Sequence, residues 1–68
     1  MEKFANRLRE LRKERELTLE HMGEAMGLHY TTYAGYEKDE IEPNLTNLVK
    51  LADFFGVTTD YLLGRTEI

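Results

Sequence analysis

Apolar residues recur along this 68-residue chain at helical spacing, and nowhere with the strict alternation of a strand. Phe4, Leu8 and Leu11 lie within EKFANRLRELRKERE, a stretch rich in strong helix formers and free of Gly and Pro. The pattern predicts a first helix over about 2–14. A second is predicted over 18–26, opened by Thr18 as N-cap, with Glu20 favouring the first turn and Gly27 as a left-handed exit. His21 follows Thr18 at the place where a full capping box would carry Glu or Gln, so only half of that motif is expected. A third helix is expected over 30–37, with His29 near its cap. KDEIEPN then reads as a loop, because Pro43 bars an earlier start for the next helix. Asn44 suits the cap of a fourth helix over 44–55, whose Leu45, Leu48, Val49, Ala52 and Phe55 share one face and which stops at Gly56. VTTDYLLG repeats the plan in miniature: Thr58 or Thr59 caps a fifth helix over 59–63, Gly64 ends it, and residues 65–68 form a frayed tail. The sum is an all-α domain of five short helices spanning residues 1–68.

The expected core draws on Phe4, Leu8, Leu11, Leu17, Met22, Met26, Leu28, Tyr33, Tyr36, Leu45, Leu48, Leu51, Ala52, Phe55, Val57 and Leu62. Two glycines stand out within it. Gly23 interrupts the second helix, where it costs about 1 kcal/mol against alanine. That cost is justified where two helices cross so closely that one contact position must carry no side chain. Gly27, four residues later, provides positive φ for a short turn. Met22, Leu28, Tyr33 and Tyr36 then bury the inner faces of a helix–turn–helix unit and fix its crossing angle. A tyrosine as bulky as Tyr33 needs either compensating space, from Gly23 or Ala34, or a buried partner for its hydroxyl.

Length and composition narrow the alternatives. A chain this short buries only about 60% of the surface its unfolded form exposes, so its stability depends on good helix packing. It has no cysteine and therefore neither a disulfide framework nor a cysteine zinc site, which suits a reducing cytoplasm. No apolar run approaches the roughly 18 residues that span a bilayer. The net charge of −4 is uneven: residues 1–15 carry six basic against three acidic residues, and the remainder carries three basic against ten acidic. Catalysis finds no support, since serine and cysteine are absent and there is no glycine-rich phosphate loop. His21 and Glu24 form an i, i+3 pair, but two potential ligands on a helix face do not make a metal site. No cofactor, metal or catalytic residue is expected.

The segments RLRELRKERELTLEHMGEAMG, TTYAGYE and PNLTNLVKLADFFGVTTDYLLG together resemble the Cro/CI repressor-type (Xre-like) helix-turn-helix family over roughly residues 4–64. The resemblance implies a five-helix, lambda-repressor-like DNA-binding domain. It implies a bacterial or phage transcription regulator, a repressor in most such proteins, that binds operator DNA as a dimer with its third helix in the major groove. It further implies an ion pair between Arg12 and Glu37, and a homodimer made through the C-terminal helix region around Tyr61, Leu62 and Leu63. Carried over by position, Tyr30, Thr31 and Gly35 face the groove, with Thr32 toward the backbone. Thr18 and Leu19 at the start of the second helix, His29 at the start of the third and Lys38 just beyond it approach phosphates.

Several positions depart from the family pattern. Leu19 stands where a glutamine is common, and Gly35 stands where a hydrogen-bonding side chain is common. Asp39, Glu40 and Glu42 make the following loop acidic. No bidentate fork to a base remains on the third helix. Lys13 and Arg15 are then candidates to compensate at the DNA backbone. The alternative is a helix-turn-helix-derived protein-interaction module with weak or no DNA binding, in which the exposed Tyr30 and the acidic loop meet a basic protein partner.

Overall fold

A computed structural model describes residues 1–68 as five helices and no strands. They are α1 (Glu2–Glu14), α2 (Leu19–Met26), α3 (Tyr30–Glu37), α4 (Leu45–Phe55) and α5 (Thr59–Leu62). Local chemistry sets most of the boundaries. Asn44 Oδ1 accepts from the Asn47 amide at 2.8 Å to open α4, and Thr58 Oγ1 accepts from the Tyr61 amide to open α5. At α2 the capping box is complete, contrary to the half-motif expected. The His21 amide donates to Thr18 Oγ1 at 3.0 Å, and the Thr18 amide donates back to His21 Nδ1 at 3.2 Å. A neutral imidazole thus performs the acceptor role usually filled by Glu or Gln.

The core joins α1 (Phe4, Leu8), α2 (Met22, Met26), α3 (Tyr33, Tyr36), α4 (Leu51, Ala52, Phe55) and α5 (Leu62). Leu11, Leu17, Leu28, Leu48 and Val57 pack along its edge. Leu45 departs from its expected core position and is 81% exposed. It lies on the same helical stripe as Leu48 and Ala52, but as the first residue of α4 it projects past the last layer of the bundle. Tyr33 is fully buried, and its hydroxyl meets no hydrogen-bond partner. Burial pushes the phenol's pKa well up, and the neighbouring Glu37 adds to the shift. An unpartnered buried hydroxyl costs about 1–3 kcal/mol. Tyr33→Phe is therefore expected to stabilise the domain by about 1 kcal/mol. That gain would raise Tm by about 4–8 °C in a domain this small, and a lower Tm in calorimetry would mean that the hydroxyl is satisfied.

The arginines of α1 and of its C-cap, Arg15, have a structural occupation. The last carbonyls of a helix lack intrahelical donors and carry the negative end of its dipole, so cations are favourable there. Arg9 Nη2 donates to the Glu37 carbonyl at the end of α3 at 2.9 Å. Arg15 donates to the Phe54 and Phe55 carbonyls at the end of α4 at 3.0 and 2.9 Å, with its guanidinium above the Phe55 ring. Arg7 donates to the Tyr61 carbonyl in α5 and lies 4.3 Å above the Tyr61 ring. From α4, Lys50 Nζ donates to the Met26 carbonyl at the end of α2 at 3.1 Å. Arg15 is thus tied to α4 rather than free to reach a DNA backbone. Arg7 also holds the chain end, through the Thr66 carbonyl at 2.6 Å and Glu67 Oε2 at 2.9 Å, where fraying was expected.

Candidate nucleic-acid interface

The α2–α3 unit is built around Gly23. A Cβ placed on it would lie 2.8 Å from the Leu28 carbonyl oxygen and 3.0–3.1 Å from the Tyr30 backbone. Only a residue without a side chain admits the turn at that distance. Gly27, at φ 70° and ψ 31°, exits α2 in the left-handed region, and the Leu28 amide donates to the Gly23 carbonyl at 2.8 Å. The chain therefore leaves α2 and enters α3 across its N-terminus, with His29 as N-cap accepting from the Thr31 amide.

The far end of α3 is locked to α1. Arg12 grips Glu37 with two parallel bonds, Nε to Oε2 at 2.7 Å and Nη2 to Oε1 at 3.0 Å, and its third donor reaches the Leu17 carbonyl at 3.0 Å. Glu37 is only 4% exposed. The hydrogen bond to Glu37 raises the Arg12 guanidinium further above its already high pKa. A weaker tie runs to α4, where Asn47 Nδ2 donates to the Tyr36 hydroxyl at 3.3 Å. Pinned at its C-terminus, α3 leaves its N-terminal turn as the free part.

That free part is short. His29, Tyr30 and Thr31 are exposed, Thr32 is half-buried, and Tyr33 through Glu37 are buried. The His29 and Tyr30 rings stack with centroids 4.9 Å apart, and His29 Nδ1 lies 2.7 Å from Thr31 Oγ1. Thr18 and Lys38 are exposed, and Leu19 is half-buried against the core edge. Gly35, expected to face the groove, is instead buried beneath Ile41. The cause is the exit of α3. Asp39 takes a left-handed backbone (φ 59°), and the Glu40 and Ile41 amides both donate to the Gly35 carbonyl, at 3.0 and 3.2 Å. The chain reverses and lays Ile41 over Gly35. Sequence reading missed Ile41 because a non-glycine left-handed residue at 39 leaves little local signal.

The acidic loop is less acidic in effect than in composition. Asp39 is met by the Met1 amine at 2.8 Å, and Glu37, which ends α3 just before the loop, is neutralised by Arg12. The hydrogen bond that the amine donates to Asp39 is the main reason that its pKa is raised. Glu40 and Glu42 remain exposed beside Lys38.

A family profile described as helix-turn-helix matches residues 8–62. The chain belongs to that helix-turn-helix family, of the Cro/CI repressor type. The uncharacterized HTH-type transcriptional regulator YobD of Bacillus subtilis is 42% identical over 64 residues, covering 94% of this chain and 57% of that protein. The HTH-type transcriptional regulator AnsR of Bacillus subtilis is 45% identical over 62 residues, covering 91% of this chain and 53% of that protein. The chain thus spans somewhat more than half the length of these two relatives. Among solved structures, the P22 c2 repressor in complex with a synthetic operator superposes with a TM-score of 0.82 at 29% identity, covering 87% of this chain and 89% of that one. The five-helix architecture of this helix-turn-helix protein is therefore that of the P22 c2 repressor. None of its helices is long and apolar enough to cross a membrane.

Proposed function

We propose that this helix-turn-helix domain is the sequence-specific, double-stranded-DNA-binding part of a bacterial or phage transcription regulator, acting in the cytoplasm as a repressor. The N-terminal turn of α3 enters the major groove, and no cofactor is required. The observation that carries this reading is the division within α3: Tyr33–Glu37 are buried and bolted to α1, while His29–Thr31 project. That is the arrangement a rigid reading element needs. The likeness to regulators and to an operator-bound repressor supports it.

The roles follow from exposure. Tyr30 and Thr31 meet base edges, and Thr32 lies toward the backbone. Thr18, His29 and Lys38 approach phosphates, with the amides of α2 and α3 beside them. Leu19 contributes packing at the edge. Binding is as a homodimer through the C-terminal helix region. Leu62 is fully buried in its own core, which leaves Tyr61 and Leu63, both half-buried, to meet the second copy.

A mobility-shift or fluorescence titration against DNA flanking its own gene, at low and moderate salt, tests the proposal. Sequence-selective binding is expected. Because Tyr30 and Thr31 are exposed, the double variant Tyr30→Ala/Thr31→Ala should lose about tenfold in affinity while its melting curve stays in place, each single hydrogen bond being worth about 0.5–1.5 kcal/mol. Absence of selective binding at both salts rejects the reading, and a stable heteromeric complex that survives nuclease treatment would favour the interaction-module alternative.

A further inference from the structure

Ile41 stands where a side chain at position 35 would stand. A Cβ built on Gly35 would fall 2.5 Å from Ile41 Cδ1, 2.9 Å from Cγ1 and 3.4 Å from Cβ. The placement is held from three sides. The Glu40 and Ile41 amides share the Gly35 carbonyl, Asp39 makes the left-handed reversal, and the Met1 amine holds the Asp39 carboxylate. Gly35 lies one turn beyond Thr31, so the two share a helix face, and Thr31 is exposed on it. Ile41 is itself 44% exposed. Its side chain covers Gly35, on the helix face that carries Thr31, and the rest of it is open to solvent.

We propose that Ile41 is a specificity-determining residue of the DNA interface: a loop side chain that takes the place of residue 35 on the reading ridge and selects a thymine methyl group in the major groove. This rests on the reading of the domain as a binder of duplex DNA. The chemistry follows from what isoleucine lacks. It has neither donor nor acceptor, so against guanine, cytosine or adenine it would strip water from base-edge polar atoms and replace it with nothing. The C5-methyl of thymine is the one apolar group that the major-groove edge presents. The missing side chain at 35 is therefore exchanged for an apolar one delivered by the loop, and the recognition chemistry shifts from hydrogen bonding to methyl contact.

Duplexes selected by the whole chain from a randomised library provide the probe. Each thymine is then replaced singly by deoxyuridine, which lacks only the methyl group. At one position in each half-site the replacement is expected to weaken binding about fourfold, the factor that corresponds to burial of one such group. Ile41→Ala should bind the thymine duplex more weakly by a similar factor and become indifferent to uracil at that position, as contact partners do in a double-mutant cycle. Ile41→Asn, of similar size but polar and without a methyl group, should keep the melting temperature, because position 41 is 44% exposed, and still lose the methyl preference, which separates recognition from folding. If both variants remain as sensitive to uracil as the parent at every position, the proposal is overturned while DNA binding stands. A library that yields no enriched sequence overturns the function and this inference together.

Discussion

Arg12→Ala should cost the domain about 3–5 kcal/mol, the usual consequence of leaving a buried carboxylate without its cation. Glu37 is the carboxylate concerned, almost wholly withdrawn from water and held by two parallel bonds. A domain of this size has about 3–10 kcal/mol of total stability, so the variant should lose a third or more of its reserve and melt at a much lower temperature. The same substitution also frees the Leu17 carbonyl. Urea denaturation followed by far-ultraviolet circular dichroism measures the effect. Arg12→Lys should fall between the parent and Arg12→Ala, because an ammonium cannot form the two parallel hydrogen bonds. Replacing both partners by apolar residues of similar size, Arg12→Met with Glu37→Leu, should recover most of the loss, since neither charge is then buried. An Arg12→Ala midpoint within experimental error of the parent would show that the pair behaves like a solvated surface contact.

Gly23→Ala separates two opposed effects. Helix propensity alone favours alanine by about 1 kcal/mol. The added Cβ, however, would approach the Leu28 carbonyl oxygen to 2.8 Å and the Tyr30 backbone to 3.0 Å. These are backbone atoms of the turn itself and cannot swing aside as a side-chain tip would. Steric cost should prevail, and a net destabilisation of about 1–3 kcal/mol is expected. Relief of the contact must also move Tyr30, so any DNA affinity should fall by more than the folded fraction does. Gly23→Leu should abolish the crossing altogether. Equal or higher thermal stability for Gly23→Ala would mean that the close approach is not required.

The features that the chain displays locally are those that sequence reading recovers. The glycine pair at 23 and 27, Asn44 before α4, and the period of Leu48, Ala52 and Phe55 each depend on a few consecutive residues. Helix boundaries agree to within a residue for the same reason. What escapes depends on contacts across the chain. Leu45 fits the apolar stripe of α4, yet nothing in its own turn reveals that the bundle ends one layer earlier. Gly35 reads as an open position until the loop beyond it is seen to fold back. His21 closes the capping box although the motif is usually defined by Glu or Gln. Arg15 reads as a candidate for the DNA backbone, and only the positions of the α3, α4 and α5 termini show where the charges of Arg9, Arg15 and Arg7 are spent.

This use of arginine bears on how genetics in such a protein should be interpreted. A screen for loss-of-activity alleles would strike Arg7, Arg9, Arg12 and Arg15 repeatedly, and mapping those hits would outline a false footprint along α1. Such alleles should behave as temperature-sensitive folding lesions, with lowered protein levels and partial rescue in the cold. Lesions at Tyr30, Thr31 or Ile41 should leave protein levels intact at every temperature.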